Sequence, residues 1–122
     1  MENVKGDLGR KGEEVVMNFL IGEGMRVVAR NWRSGHKELD LVMDDGEYLR
    51  VVEVKSLKYP NRGNPFENVD KGKRRLIIAA AQHFVMRYNI GKEVVFDVAS
   101  VLFNGDFYKI EYFREAFSPC CI

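Results

Sequence analysis

The stretch "ELDLVMDDGEYLRVVEVK", residues 38–55, holds Asp40 between Leu39 and Leu41, and sets Glu53 and Lys55 on either side of Val54. Two carboxylates and an amine therefore stand inside two apolar runs, where hydrophobic side chains would be buried at less cost. Strand side chains alternate between faces, so Glu53 and Lys55 share a face with Leu49 and Val51, and Glu38, Asp40 and Val42 share one on the preceding run. A hairpin centred on Asp45-Gly46 places residue 40 opposite a residue near 51, with 53 on a diagonal. Asp40 and Glu53 become neighbours if register and face agree, and a bulge would move that register by one. Paired carboxylates in a partly desolvated sheet repel and resist ionisation unless a positive charge sits between them. A divalent cation meets that need. Magnesium takes hard oxygen ligands, commonly one or two carboxylates with waters and a substrate phosphate, and manganese accepts the same set. Asp40, Glu53 and the backbone carbonyl of Val54 supply such ligands. Lys55 can then position or deprotonate an attacking water, or stabilise charge on the phosphate. These are the parts of metal-assisted phosphodiester hydrolysis. A Glu-x-Lys pair alone more often marks a solvated strand edge with a weak ion pair; Asp40 at a hairpin-compatible position sets this one apart.

The elements that must carry these groups follow from periodicity. "DLGRKGEEVVMNFLIGEG" spaces Leu8, Val16, Phe19 and Leu20 as a helix over about residues 7 to 22, with Gly22 or Gly24 ending it. Glu13 lies near the apolar face of that helix, so its carboxylate leans toward the core. "MRVVARNWR", "KELDLVM" and "YLRVVEVKSL" read as three consecutive strands, the last two joined through Asp45-Gly46. Residues 56–68, rich in proline, glycine and asparagine, read as a loop of about a dozen residues, a length often associated with function. A second helix runs through Leu76, Ile77, Ala80, Phe84 and Tyr88, capped by Asn68 or Asp70. "KEVVFDVASVLF" is a strand that Asn104-Gly105 turns into "DFYKIEYF". The expected fold is one α/β domain over 1–122 in the order α-β-β-β-α-β-β, a central mixed sheet flanked by helices.

A chain of 122 residues with 46% hydrophobic and 30% charged residues has ordinary globular composition, which excludes disordered and fibrous classes. The first residues carry too many charges for a secretory signal, and the run Leu76–Ala81 is far short of the roughly 20 apolar residues of a membrane span. Cys120 and Cys121 are adjacent, so they supply neither a loop-closing framework nor a spaced zinc site, and a cytoplasmic location is expected. Net charge is +1, but residues 26–75 hold twelve Lys or Arg against eight Asp or Glu, leaving seven against ten elsewhere. The basic part of the chain is the part that contains the charged strands.

Cations crowd the start of the second helix (Lys71, Lys73, Arg74, Arg75) and surround the second strand (Arg30, Arg33, His36, Lys37). Such groups give sequence-independent phosphate affinity, and at a helix N-terminus they oppose the helix dipole unless an anion binds there. Arg33, Lys37, Lys71, Lys73 and Arg74 are the candidate nucleic-acid contacts. His36 and His83 read as surface or packed histidines rather than ligands, Trp32 reads as a packing residue in preference to one that stacks on a base, and Asp97 reads as a structural hydrogen-bonding group. DNA and RNA are not separated by any residue pattern, and no organic cofactor or membrane partner is implied.

The segments "GRKGEE", "ARNWR", "ELDLV", "VVEVK", "GNPFENVDKGKRRLI" and "FDV" resemble the YraN-type family of uncharacterised bacterial proteins, which is similar to archaeal Holliday junction resolvases within the PD-(D/E)XK nuclease superfamily. The likeness covers about residues 7–98. It implies a restriction-endonuclease-like core, Asp40 and Glu53 as ligands of Mg2+ or Mn2+, Lys55 as the catalytic lysine, and Glu13 as an additional catalytic acid. Lys71 falls where the family carries a lysine at the start of its second helix. Leu39 replaces the proline of the superfamily motif, and Lys37 stands where the family usually has glycine. The implied activity is endonucleolytic cleavage of DNA, branched or structured DNA included, by a homodimer. The alternative is a non-catalytic nucleic-acid or protein-binding module on the same frame.

Overall fold

The computed structural model describes residues 6–61 and 70–119, with Lys37 described through its backbone alone. Cys120, Cys121, Asn68 and most of the expected loop over 56–68 lie outside the described residues. Helix α1 spans Asp7–Gly22 and buries Gly12, Glu13, Val16 and Leu20. It ends where Gly24 turns left-handed at φ 98° and the Met25 N–H returns to the Leu20 carbonyl, 3.1 Å away. Strands β1 (Arg26–Ser34), β2 (Lys37–Asp44) and β3 (Leu49–Lys58) follow as an antiparallel meander. Helix α2 (Lys71–Arg87) then carries the chain to β4 (Val94–Asn104), which runs parallel to β3, and β5 (Phe107–Phe117) pairs antiparallel with β4. The sheet order is β1-β2-β3-β4-β5, and α2 begins at Asp70, whose carboxylate accepts the Lys73 N–H at 2.9 Å.

The sheet is mixed and has a helix on each face. Ile77, Ala80, Ala81 and Phe84 of α2 pack with Leu49, Val51, Phe96 and Val98, whereas Val16 and Leu20 of α1 pack with Met43, Val52, Ala99 and Val101. Adjacent residues such as Val51 and Val52 enter opposite cores, as the strand pleat requires. This is the expected α/β architecture, a restriction-endonuclease-like core in the order α-β-β-β-α-β-β.

Three local expectations are corrected. The β2–β3 connection is the four residues 45–48 rather than a turn on Asp45-Gly46, because the Asp45 carboxylate accepts the N–H groups of Glu47 (2.8 Å) and Tyr48 (2.7 Å) and holds the loop open. Of the overlapping readings of residues 56–57, the strand holds and the loop bound at 56 does not: β3 runs one residue further, to Lys58, because it stays paired with β4 as far as Lys58↔Phe103. The last hairpin turns on Gly105-Asp106, with Asn104↔Phe107 as its closing pair and the positive φ (62°) at Gly105; β5 then runs on to Phe117 past a register shift.

A buried ionic cluster ties β3 to the C-terminal hairpin. Arg50, 3% exposed, donates to both oxygens of Asp97 (3.1 and 3.0 Å) and to Asp45 (2.7 Å). Asp97 also accepts the Tyr112 hydroxyl and the Glu115 N–H (2.8 Å), so its role is the structural one expected of it. Burial, and then the Asp97 charge, push the Tyr112 hydroxyl well above the usual phenol range.

Candidate active site

The wider β2–β3 loop decides where the acids meet. The ladder runs from Asp44↔Leu49 to Leu41↔Val52 and stops there; the same register continued by one step would set Asp40 opposite Glu53, where the sequence expectation had them on a diagonal. At that step a side chain replaces the backbone: Oδ2 of Asp40 accepts the Val54 N–H at 2.9 Å. Asp40 is therefore aimed across the gap between strands rather than out from the sheet. A strand residue's N–H and C=O point the same way, so the Val54 carbonyl faces the same gap. The turn of β2 is visible in its neighbours, since Leu41 packs in the core under α1 and Leu39 in the core under α2.

Asp40 and Glu53 are both buried, at 7% and 6% exposure. Glu53 and half-buried Lys55 line a cleft of about 220 Å³ with Ser56 and Leu57 of β3, Val98 of β4 and Lys73 of α2. The cleft thus brings one carboxylate, two amines and backbone of β3 together, and Asp40 of β2 is tied to it through the N–H of Val54, which lines it. Among the described residues no group of three or more His, Cys, Asp or Glu is close enough to hold a metal. The acids supply two carboxylates, the number magnesium commonly takes from protein while water and phosphate fill the remaining positions.

Glu13 lies on α1, 1% exposed, with Oε1 at 3.9 Å from Nε of Arg30, and Arg30 is the ladder partner of Leu41, next to Asp40. Its place is fixed by the preceding residue. A Cβ on Gly12 would stand 1.8 Å from Ser56 Oγ and 3.1 Å from Ser56 Cβ, so α1 approaches β3 as only glycine permits. A glycine inside an otherwise regular amphipathic helix is a signal of such an approach, and it went unread in the sequence.

The candidate phosphate contacts divide. Lys73 reaches the cleft and Lys71 is exposed at the first residue of α2. Half-buried Arg74 places its guanidinium 5.5 Å from the Phe117 ring centroid, on the side of β5. Arg33 lines a second groove at the far end of α2, with Trp32 and His83, and Lys37 pairs through its backbone with Ser34. His83 meets Ser34 Oγ at 3.2 Å through Nδ1 and His36 is exposed in the β1–β2 turn.

The fold and the pair of carboxylates on its second and third strands define an α/β chain with a restriction-endonuclease-like core. The chain belongs to the uncharacterised protein family UPF0102, the YraN-type family, whose model matches residues 12–101. It is 42% identical over 113 residues to a UPF0102 protein of Porphyromonas gingivalis, covering 91% of this chain and 84% of the relative. A UPF0102 protein of Desulforapulum autotrophicum is 39% identical over 118 residues, 96% of this chain and 98% of the relative. One from Phocaeicola vulgatus is 35% identical over 113 residues, 93% of each. Among the described residues no helix is long and apolar enough to cross a membrane.

Proposed function

We propose that this chain is a divalent-cation-dependent endonuclease that hydrolyses phosphodiester bonds in DNA, branched or structured DNA included. The observation that carries the reading is the pair of buried acids Asp40 and Glu53 on neighbouring strands where the β2–β3 ladder stops, with Glu53, Lys55 and Lys73 lining one cleft. A frame without chemistry has no physical need for two adjacent buried carboxylates.

Asp40, Glu53 and the Val54 carbonyl would hold Mg2+ or Mn2+, an all-oxygen set that suits either ion. When bound, the cation polarises the scissile phosphate and makes an attacking water more acidic. Lys55, on the same face as Glu53, orients that water or takes its proton, and offsets charge building on the phosphate oxygens. Lys73 and Lys71 hold the flanking phosphates, and Arg33 and Lys37 extend the contact beyond the cleft. Glu13, on the helix that Gly12 brings close to β3, acts as the additional acid on the Arg30 side of the site. A duplex or junction has more than one strand to cut, and a homodimer supplies a second cleft.

The experiment is a magnesium- and manganese-dependent cleavage assay on duplex, single-stranded and four-way-junction DNA, with Glu53→Ala as control. Cleavage by the parent that disappears in Glu53→Ala is expected. Salt-sensitive binding of the same DNAs without cleavage by either protein would overturn the reading in favour of a binding module on a nuclease frame.

A further inference from the structure

A second groove, of about 470 Å³, lies where the end of β1 meets the C-terminal part of α2, and the proposed reaction makes no use of most of it. Trp32 forms its floor. The indole is held edge-on by buried Phe84, with ring centroids 5.1 Å apart at 88°, and its Nε1–H donates to the Tyr88 hydroxyl at 3.3 Å. Ser34 Oγ and His83 Nδ1, 3.2 Å apart, close one side, and Met86, 77% exposed, stands at the mouth.

Charge selects the occupant. The lining contains two arginines, Arg33 and Arg87, and no carboxylate; Glu38, the ladder partner of Arg33, stands outside it. The Arg87 guanidinium lies 5.7 Å from the ring centroid of Tyr88, the residue whose hydroxyl accepts the indole N–H. A pre-set aromatic floor with guanidinium groups on its rim matches a flat base attached to a phosphate. The volume falls within the range of small-molecule sites.

We propose that this groove takes one unpaired nucleotide of the DNA substrate, its base against Trp32 and its phosphate at Arg33 and Arg87. The proposal rests on the nuclease reading and specifies its substrate: DNA with a single-stranded segment near the bond to be cut. Trp32 pairs with Leu39, the residue before Asp40, so the groove adjoins the strand that carries the first acid. Lys73 in the cleft and Arg87 in the groove are fourteen residues apart on α2 (87 − 73), about 21 Å of helix. At the rise of about 3.4 Å per step of a stacked duplex strand that is roughly six nucleotides, and fewer where the strand is unpaired and extended.

Trp32 is the only tryptophan of the chain, so its emission reports on this groove. The test titrates oligothymidylate, and separately a flush-ended duplex of equal length, into the full chain in EDTA, reading Trp32 emission alongside anisotropy of end-labelled DNA. Saturable quenching by the single strand is expected, with the midpoint moved at least tenfold higher in Met86→Glu and in Arg87→Glu, and no quenching by the flush duplex. Anisotropy showing that oligothymidylate binds while Trp32 emission stays constant, or quenching unchanged in both variants, would overturn the proposal. Absence of oligothymidylate binding would overturn it too. The metal-dependent cleavage assay separates the two readings: cleavage with a silent Trp32 removes the groove and keeps the nuclease, whereas quenching by DNA that is never cut removes the nuclease and keeps the groove as a single-strand site.

Discussion

Asp40 has two tasks at one carboxylate, since Oδ2 satisfies the Val54 N–H and the group is also a proposed cation ligand. Substitutions separate them. Asp40→Asn keeps an acceptor for Val54 and removes the charge, so it should fold normally and bind no magnesium or manganese at this site by titration calorimetry, as should Glu53→Ala. Asp40→Ala leaves the amide without that acceptor and should lose a further 1–3 kcal/mol or so in urea unfolding. Lys55→Ala should retain cation binding while cleavage falls on the order of a hundredfold or more, the usual worth of a proton-transfer group; full activity in that variant would remove Lys55 from the mechanism. That Asp40 stands on one strand, and Glu53 and Lys55 together on the next, was legible in the sequence from the apolar runs and the turn between them, whereas their register was not, because it depends on where that turn falls. The Asp40–Val54 bond was not legible, because it exists only where a ladder stops, and no periodicity marks that point.

At the scale of elements, the contact between α1 and β3 is set by Gly12 against Ser56. Gly12→Ala gains up to about 1 kcal/mol of helix preference, while forcing a methyl against Ser56 loses about 1–3 kcal/mol by overpacking. The expected net effect is destabilisation in urea unfolding. Ser56→Ala removes the 1.8 Å conflict, so the same glycine change should cost little or stabilise in that background, and the double-mutant cycle should be strongly non-additive. Helix positions were readable from apolar spacing and from Asp70 as cap. The ends of β3 and β5 were not, since pairing with β4 fixes them: Ser56 and Leu57 read both as the end of a strand and as the start of the loop. The turn at 45–48 was misplaced for a related reason: Asp45 uses its side chain as an acceptor, and Asp-Gly spelling alone does not say so.

Across the whole molecule, carboxylates hold the ends of the sheet together and make it sensitive to acid. Burial is the largest single influence on Asp45 and works to raise its pKa, but the Tyr48 and Glu47 N–H groups and the Arg50 guanidinium together bring it down to about 2. A hydrogen bond from Lys92, then one from the Gly46 N–H, lower Asp44 as well. A carboxyl with a depressed folded pKa stabilises the fold above its ordinary value of 3.8, and that contribution fades as pH falls through the folded value. Unfolding free energy should therefore decline between about pH 4 and pH 2, and Asp45→Asn should flatten the decline by about 2 kcal/mol while lowering stability near pH 6. Spatial and sequence order coincide along the sheet, so every pairing joins chain neighbours through a short turn except the parallel seam of β3 and β4, which must wait for the passage through α2. Closing that seam carries the largest loop-closure entropy of any pairing in the sheet. The cleft draws Glu53 and Lys55 from one side of the seam, Val98 from the other and Lys73 from the crossing helix. It therefore exists only where that seam is closed, and neither the meander nor the C-terminal hairpin contains it alone.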